Sequence, residues 1–592
     1  MMLRDKSALL LWAGILLLTT LFLYLRLSYR GFDQVLFGDN DDAMRMVVVR
    51  DFLNGQNWFD HAQYRMNTPF GGDMHWSRMI DLPIAALVLL ARPFAGAGAE
   101  VVAGFAWPII LLGVFIWFNG LLAQRLVGPA GMLPAMLITA FSVVTYSEFD
   151  FGRIDHHSVQ IILTQLAVLF SIHALSRPRM AGWAGLAVAT SLAIGTETLP
   201  VVVAAILVYG LQFVIAPRFN MGVRWFGLSF GLGSVGHLLL AAPPSLWLVP
   251  ACDALSVVYA SAALASGLGL AALTLLSLRG WHLRLIGSAL AGGVVLALVV
   301  WLFPACLDGP YAIVDPWLVE HWLAGIGEAM PLPEVLMQQP VYVLGASMPA
   351  FIALACVLHA VWRSEGDRRV AWLVLLAFLA IIIAVAFVQV RSMRITVALI
   401  SPACAYCVVM ARRRYLEKAS LLRIGGLVAS WLGFAGILWS VMVHLLVSAM
   451  PAQAVQDLPE LQADAATCLA PGAYDGLKGM GTGGVMAPMD MGAYILLYTG
   501  HDIVAAPYHR NNAALLDTYA FFNGPIAAAR DILTQRGITL VATCDGLPEM
   551  AGLPDAADDS FVRLAQQNAL PDWLKPVSAQ GQPITIYAVK TE

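Results

Sequence analysis

The sequence predicts a polytopic α-helical membrane protein, about thirteen transmembrane helices followed by a soluble α/β domain. Three observations carry the helical and two-part reading. Hydrophobic residues make up 59% of the chain and charged residues only 12%, about half the charged share of a soluble globular protein. Apolar runs of bilayer-spanning length recur up to residue 447. Beyond 448 the composition becomes that of an ordinary soluble protein.

The first run, 9–27, is flanked by Arg4 and Lys6 before it and by Arg26, Tyr29 and Arg30 at its end, with no small-residue cleavage site. It reads as an uncleaved span, not a signal peptide. Twelve further runs follow at 101–123, 129–147, 158–175, 181–197, 200–216, 225–248, 254–278, 284–304, 341–362, 369–389, 395–411 and 424–447. The stretch 82–95 is short and interrupted by Pro83 and Pro93, so it predicts an interfacial or re-entrant helix. Every second short loop is basic: Arg125; Arg177 and Arg179; Arg218 and Arg224; Arg279 and Arg284; Arg363, Arg368 and Arg369; Arg412 to Arg414, Lys418 and Arg423. Positive loops stay in the cytoplasm. This puts the N-terminus inside and, after an odd number of spans, the C-terminal domain in the periplasm of a bacterial inner membrane.

The alternate loops hold the acids, and two of them are long, about 28–100 and 305–340. Long loops that are not linkers tend to be functional. In 448–592, the stretches 492–497, 502–505, 537–542 and 583–589 predict strands and 513–521, 525–535 and 559–568 predict helices. A formal net charge of −4 excludes nucleic acid as a partner. Of seven cysteines, Cys252, Cys306, Cys356, Cys404 and Cys407 lie in or beside apolar runs; Cys468 and Cys544, in the polar region, can pair as a disulfide if that region is periplasmic.

Four constellations on the outer side can carry chemistry. Asp39, Asp41 and Asp42 crowd three carboxylates into four positions, which a hard divalent cation would relieve; a helix N-cap explains them equally. Asp155 and His157, in Gly152-Arg153-Ile154-Asp155-His156-His157, can reach one cation, or be a cap with interfacial histidines. Glu328 stands alone in the second long loop, where a solvent-facing role is the ordinary one. Arg391 and Arg394 break the basic-inside pattern and suit a lipid phosphate, or snorkel. Together they are the set that glycosyl transfer from a polyprenyl phosphate requires: a cation for the leaving phosphate, arginine to hold it and a carboxylate for the acceptor.

The order of these motifs resembles the GT-C superfamily of membrane glycosyltransferases, most of all the catalytic subunit of oligosaccharyltransferase in its single-subunit bacterial and archaeal forms. Asn40-Asp41-Asp42-Ala43-Met44-Arg45 is similar to the family's first acidic motif and Gly152-Arg153-Ile154-Asp155-His156-His157 to its second, in the D-x-H form. The resemblance implies Asp41, Asp155 and His157 as ligands of a divalent cation, Mn or Mg, with Glu328 joining the metal site and serving the acceptor. It implies Arg394, with Arg391, as the donor phosphate site. The family's Trp-Trp-Asp-Tyr-Gly acceptor motif is reduced here to Pro488-Met489-Asp490-Met491-Gly492. An altered acceptor site lined by Asp490, His501, His509 and Arg510 is therefore expected. The implied activity is inverting, metal-dependent transfer of a sugar or oligosaccharide from a polyprenyl-(pyro)phosphate donor to a protein, glycan or lipid in the periplasm. The rivals are a transporter or flippase of lipid-linked sugars, which would need mid-membrane polar residues and usually shows internal repeats, and a non-catalytic membrane assembly protein.

Overall fold

A computed structural model describes residues 6–30, 37–449, 466–579 and 581–590. The first flanking residues, 1–5, and part of the first long loop, 31–36, lie outside it.

Each predicted run falls on helix, with 129–147 and 424–447 each divided between two helices. In chain order the helices are Lys6–Arg30 (α1), Asn40–Leu53 (α2), Arg78–Ala95 (α3), Ala99–Leu126 (α4), Met132–Ala140 (α5), Val143–Glu148 (α6), His157–Ala174 (α7), Met180–Ile194 (α8), Leu199–Ile215 (α9), Asn220–Ala241 (α10), Val257–Leu273 (α11) and Trp281–Leu302 (α12). Then come Pro316–His321 (α13), Leu332–Gln338 (α14), Pro340–Arg363 (α15), Gly366–Ala386 (α16), Ser392–Ile395 (α17), Val397–Glu417 (α18), Leu421–Leu432 (α19) and Gly436–Ser448 (α20). By length and apolarity seven of these segments can cross a bilayer, or eight with α19 and α20, which meet at 91°. The rest are shorter or more polar and gain cover from protein instead. Gly227 on α10 faces Gly267 on α11 so closely that a Cβ on either would lie within about 2.3 Å of the other's carbonyl; small residues let membrane helices approach this way. At the other extreme α12 buries only Arg284. A largely apolar helix with so little protein cover needs lipid, and the molecule is a multi-pass membrane protein.

The 82–95 stretch is part of α3, which runs on into α4 and carries a polar N-terminal end with Arg78 and Asp81 buried. Arg218 pairs with Asp367 and Arg368 donates to the Leu126 carbonyl, so three basic loops gather together.

Helix α20 ends at Ser448, and 450–465 lie outside the described residues. Beyond them a five-stranded sheet forms from Gly484–Met486 (β1), Asp502–Ile503 (β2), Ile538–Thr543 (β3), Leu574–Pro576 (β4) and Thr585–Val589 (β5), in the order β2-β1-β3-β5-β4. β2, β1 and β3 are parallel; β5 and β4 are antiparallel additions. Helices Asn512–Asn523, Ile526–Arg536 and Phe561–Gln566 match those expected. One expectation fails: 492–497 is not a strand but the core of helix Met489–Tyr498. A short continuous apolar run fits either form, and here it is covered on both sides, by α2 and by the β1–β2 region. Gly492 sits where a Cβ would fall 2.1 Å from the Ala505 carbonyl, so only glycine admits this packing.

Both long loops pack on this domain. Its hydrophobic residues share one cluster with α2, α3 and the first loop, and another with Val314, Leu318 and Trp322 of the second. Arg65 of the first loop donates to the carbonyls of Leu496, Thr499 and His501. Two disulfides secure the assembly. Cys468–Cys544 is as expected; Cys252–Cys306, whose cysteines had been grouped with the apolar runs, ties the α10–α11 loop to the start of the second long loop.

Candidate metal and donor site

Asp39 caps α2 by accepting from the Asp41 amide, leaving Asp41 and Asp42 in the first turn, where the helix dipole favours acids. Fully buried Asp42 reaches the loop before α7: one oxygen accepts from the amides of Ile154 and Asp155 at 2.8 and 2.9 Å, the other from Arg153 at 2.6 Å. The two acidic motifs are thus joined by backbone hydrogen bonds 112 positions apart.

Asp155 is buried. Its Oδ1 lies 2.5 Å from His156 Nδ1 and 3.6 Å from Arg45 Nη2. Arg45, itself buried, stacks 4.1 Å over Trp76 and shares Asp81 with Arg78; one carboxylate for two buried guanidiniums leaves charge on Arg45 for Asp155 to answer. Asp155 Oδ2 is 3.3 Å from His157 Nε2 and has no hydrogen-bond partner. That spacing suits neighbouring ligands of one cation bonded at about 2.1 Å, whose shell edges run from about 3.0 to 3.4 Å. The donor atoms of Asp155, His156 and His157 all lie within 4.8 Å of one another.

Burial would push the Asp155 carboxyl up, but His156, His157 and Arg45 hold it well below the usual range. Burial likewise pulls His156 down, yet Asp155 and Glu197 carry it up to about 10. Burial, then Asp155 and Asp39, push Asp41 well above its ordinary value. One carboxylate held low with a bare oxygen, beside another that burial and neighbouring acids push up, is the pattern a cation resolves.

Asp41, His156, His157, Glu328 and Arg391 line one cavity of about 110 Å³. Glu328 comes from the second long loop, whose Glu328 carbonyl accepts from the Arg391 amide. Its carboxylate pairs with Arg394 at 2.6 Å, and Arg394 also lies 3.7 Å from buried Glu148. Against burial, Arg394 and His157 hold Glu328 below its ordinary value, so it is ionised at neutral pH. Glu328, Arg391 and Arg394 also close one end of a groove of about 300 Å³ whose walls include Val144, Leu332, Val335, Val343 and Met393.

The expected acceptor residues do not gather in one place. Asp490 accepts from Asn40 Nδ2 at 3.2 Å, beside Asp41. His509 and Arg510 instead grip Asp253 at 2.8 and 2.7 Å, with the His75 ring 4.7 Å from that of His509. His75, Asp253 and His509 are a second tight group of metal-type donors, but Arg510 binds both Asp253 oxygens and His509 one of them, which satisfies the carboxylate without a cation. Burial beside His509 and Arg510 pushes His75 down to about 3, so its ring is neutral. His501 lies away from the site: it is buried, with Nε2 against the Leu477 carbonyl, a core histidine. Asp253, His75 and Glu148 escape sequence reasoning because none belongs to a recognisable motif, whereas Arg45 stands one turn beyond Asp41 in the first acidic motif.

No family model and no curated protein sequence matches this chain. Its structure does match solved ones. The apo oligosaccharyltransferase of Archaeoglobus fulgidus superposes with a TM-score of 0.66 at 15% identity, over 93% of this chain and 70% of that one. The fold is that of an oligosaccharyltransferase. The same archaeal oligosaccharyltransferase with an inhibitory peptide and a dolichol-phosphate gives 0.65 at 13% identity, over 100% of this chain and 75% of that one. Its complex with Zn and sulfate gives 0.59 at 14% identity, over 90% and 68%. The oligosaccharyltransferase fold is of the GT-C type that the motifs implied.

Proposed function

We propose that the protein is a membrane glycosyltransferase moving a sugar or oligosaccharide from a polyprenyl-(pyro)phosphate donor to an acceptor on the periplasmic face. The observation that carries this reading is the meeting of two cavities. An apolar groove ends at Arg391, Arg394 and Glu328, and Arg391 and Glu328 also line the cavity of Asp41, His156 and His157. A lipid chain with an anionic head fits the first, and a cation opposite that head fits the second. The similar archaeal enzyme has been solved with dolichol-phosphate and with Zn.

Asp41, Asp155 and His157 would hold the cation, with Glu328 at its edge. When bound, the cation supplies charge to stabilise the departing phosphate oxygen. The donor set holds more imidazole than a Mg site usually does, which favours Mn, and keeps Zn open. Arg394 and Arg391 hold the phosphate as the anomeric C–O bond breaks. Glu328, ionised and held by Arg394, accepts a hydrogen bond from the acceptor and orients its lone pair towards the anomeric carbon; the acceptor proton leaves along that bond. With one carboxylate assigned to the acceptor and none to a covalent intermediate, a single displacement with inversion follows. A chamber of about 670 Å³, largely apolar in its lining, shares His75, Trp76 and Asp253 with the catalytic cavity. Two disulfides on this face agree with an oxidising compartment.

The test compares glycoproteins and glycolipids by mass spectrometry from cells with the native protein, without it, and with Asp41→Ala or Asp155→Ala. A glycan lost without the protein and in both variants, whose membrane levels stay normal, is expected. Retained transfer in either variant removes the metal site from the mechanism.

A further inference from the structure

A second groove, of about 510 Å³, opens from the catalytic cavity, sharing Asp41, Trp322, Ile326, Glu328 and Pro507 with it. It runs on between Tyr519, Asp490 and Glu549. Five carboxylates line it, Asp39, Asp41, Glu328, Asp490 and Glu549, and among the described residues no lysine or arginine does. Three of these have answers: Arg153 pairs with Asp39 at 2.9 Å, Arg394 with Glu328 at 2.6 Å, and Asp41 faces the cation site. The other two do not. Asp490 has only the neutral amide of Asn40. Glu549 has both oxygens shielded from solvent and meets only backbone amides, its own and those of Met489 and Asp490 at the start of helix Met489–Tyr498, with no cationic side chain paired to it among the described residues. Asn40 Oδ1, on the same wall, is buried and unpartnered. Burial and the proximity of Asp490 push Glu549 up to about 7. Unanswered acids in a half-closed cleft are unfavourable unless something supplies positive charge.

We propose that Asp490 and Glu549 form a subsite for a lysine or arginine side chain of a polypeptide acceptor. The proposal deepens the transferase reading and rests on it for the word acceptor. A polypeptide is favoured over an amine-bearing lipid because the far end of the groove, at Asn523, Pro548, Glu549 and Leu553, is built wholly from the C-terminal domain. A lipid head would come instead from the apolar groove at Arg391 and Arg394, where an amine meets like charge. Trp322 and Tyr519 supply aromatic faces on which a cation can also rest.

The test uses the full-length protein in lipid nanodiscs and three fluorescent pentapeptides, Gly-Ser-Lys-Ser-Gly and its Gln and Glu counterparts, at low salt, where charge contacts are least screened. The Lys peptide is expected to bind about tenfold more tightly than the Gln peptide, the scale of one charge-assisted hydrogen bond, and the Glu peptide more weakly still. Glu549→Gln and Asp490→Asn, each checked for an unchanged unfolding midpoint, should shrink the Lys preference; Glu549→Gln alone suffices if the other fails to fold. Equal binding of Lys and Gln peptides, or a preference that survives both variants, overturns the proposal. Competition by ethanolamine-headed lipid where no peptide competes overturns the choice of polypeptide. Donor hydrolysis by water, followed in parallel, separates the two readings. Hydrolysis without charge preference sinks the subsite and leaves the transferase, whereas charge preference without hydrolysis does the reverse.

Discussion

Asp42 shows how a single side chain can govern a site it does not enter. Its carboxylate answers two amides and a guanidinium of the Asp155 loop. Asp42→Ala leaves Arg153 with a lost buried partner and should cost about 3 kcal/mol of stability. Cation affinity should fall at least tenfold, as it does when residues behind metal ligands are changed; calorimetry with Mn and thermal unfolding read the two effects. Asp41 makes a second prediction. Without a cation its carboxyl is held well above the ordinary range, so a proton must leave when the cation binds. Affinity should therefore rise with pH above the ordinary carboxylate value of about 3.9 and level off once Asp41 is ionised unaided. A titration flat across that interval would take Asp41 out of the ligand set. At this scale, legibility tracked clustering. Asp41, Asp155 and His157 stood out because acids and imidazoles crowd a few positions. Asp253 and Glu148, equally close to the site, are lone acids whose partners arrive from loops hundreds of positions away or from other helices.

Among elements, the spans were legible because a bilayer demands long apolar runs, and the run 284–304 met that demand so fully that α12 has nothing but Arg284 buried. Helix Met489–Tyr498 was misread because a run buried on both sides loses the alternation that separates strand from helix. Strands Gly484–Met486 and Leu574–Pro576 were missed because three residues carry no period. The α10–α11 contact can be tested at Gly227. Gly227→Leu must force the helices apart against the Gly267 carbonyl, and is expected to destabilise the protein by about 2 kcal/mol in a detergent melt, the usual cost of overpacking. Gly236→Leu, on the same helix with open space around it, should melt like the native protein.

For the whole molecule, the alternation of basic and acidic loops along the chain implies a sidedness, and three of the basic loops gather together. Sidedness follows as a prediction. With a cysteine introduced at exposed Asp555, a membrane-impermeant maleimide should label spheroplasts; with one at exposed Arg413, it should label only after lysis. The reverse pattern would put the site in the cytoplasm and end the periplasmic reading. What the sequence could not convey is that the two long loops and the C-terminal domain share hydrophobic clusters, since a shared core depends on shapes that no local pattern records.

That sharing has a consequence for biogenesis. Asp41 emerges from the ribosome early, Glu328 past the middle, and Asp490 and Glu549 near the end, yet they wall one groove. A nascent chain with every helix already inserted would still have no enclosed place for an acceptor. The protein should stay silent through translocation, and begin to work only when its last segment folds onto loops that have been waiting for it.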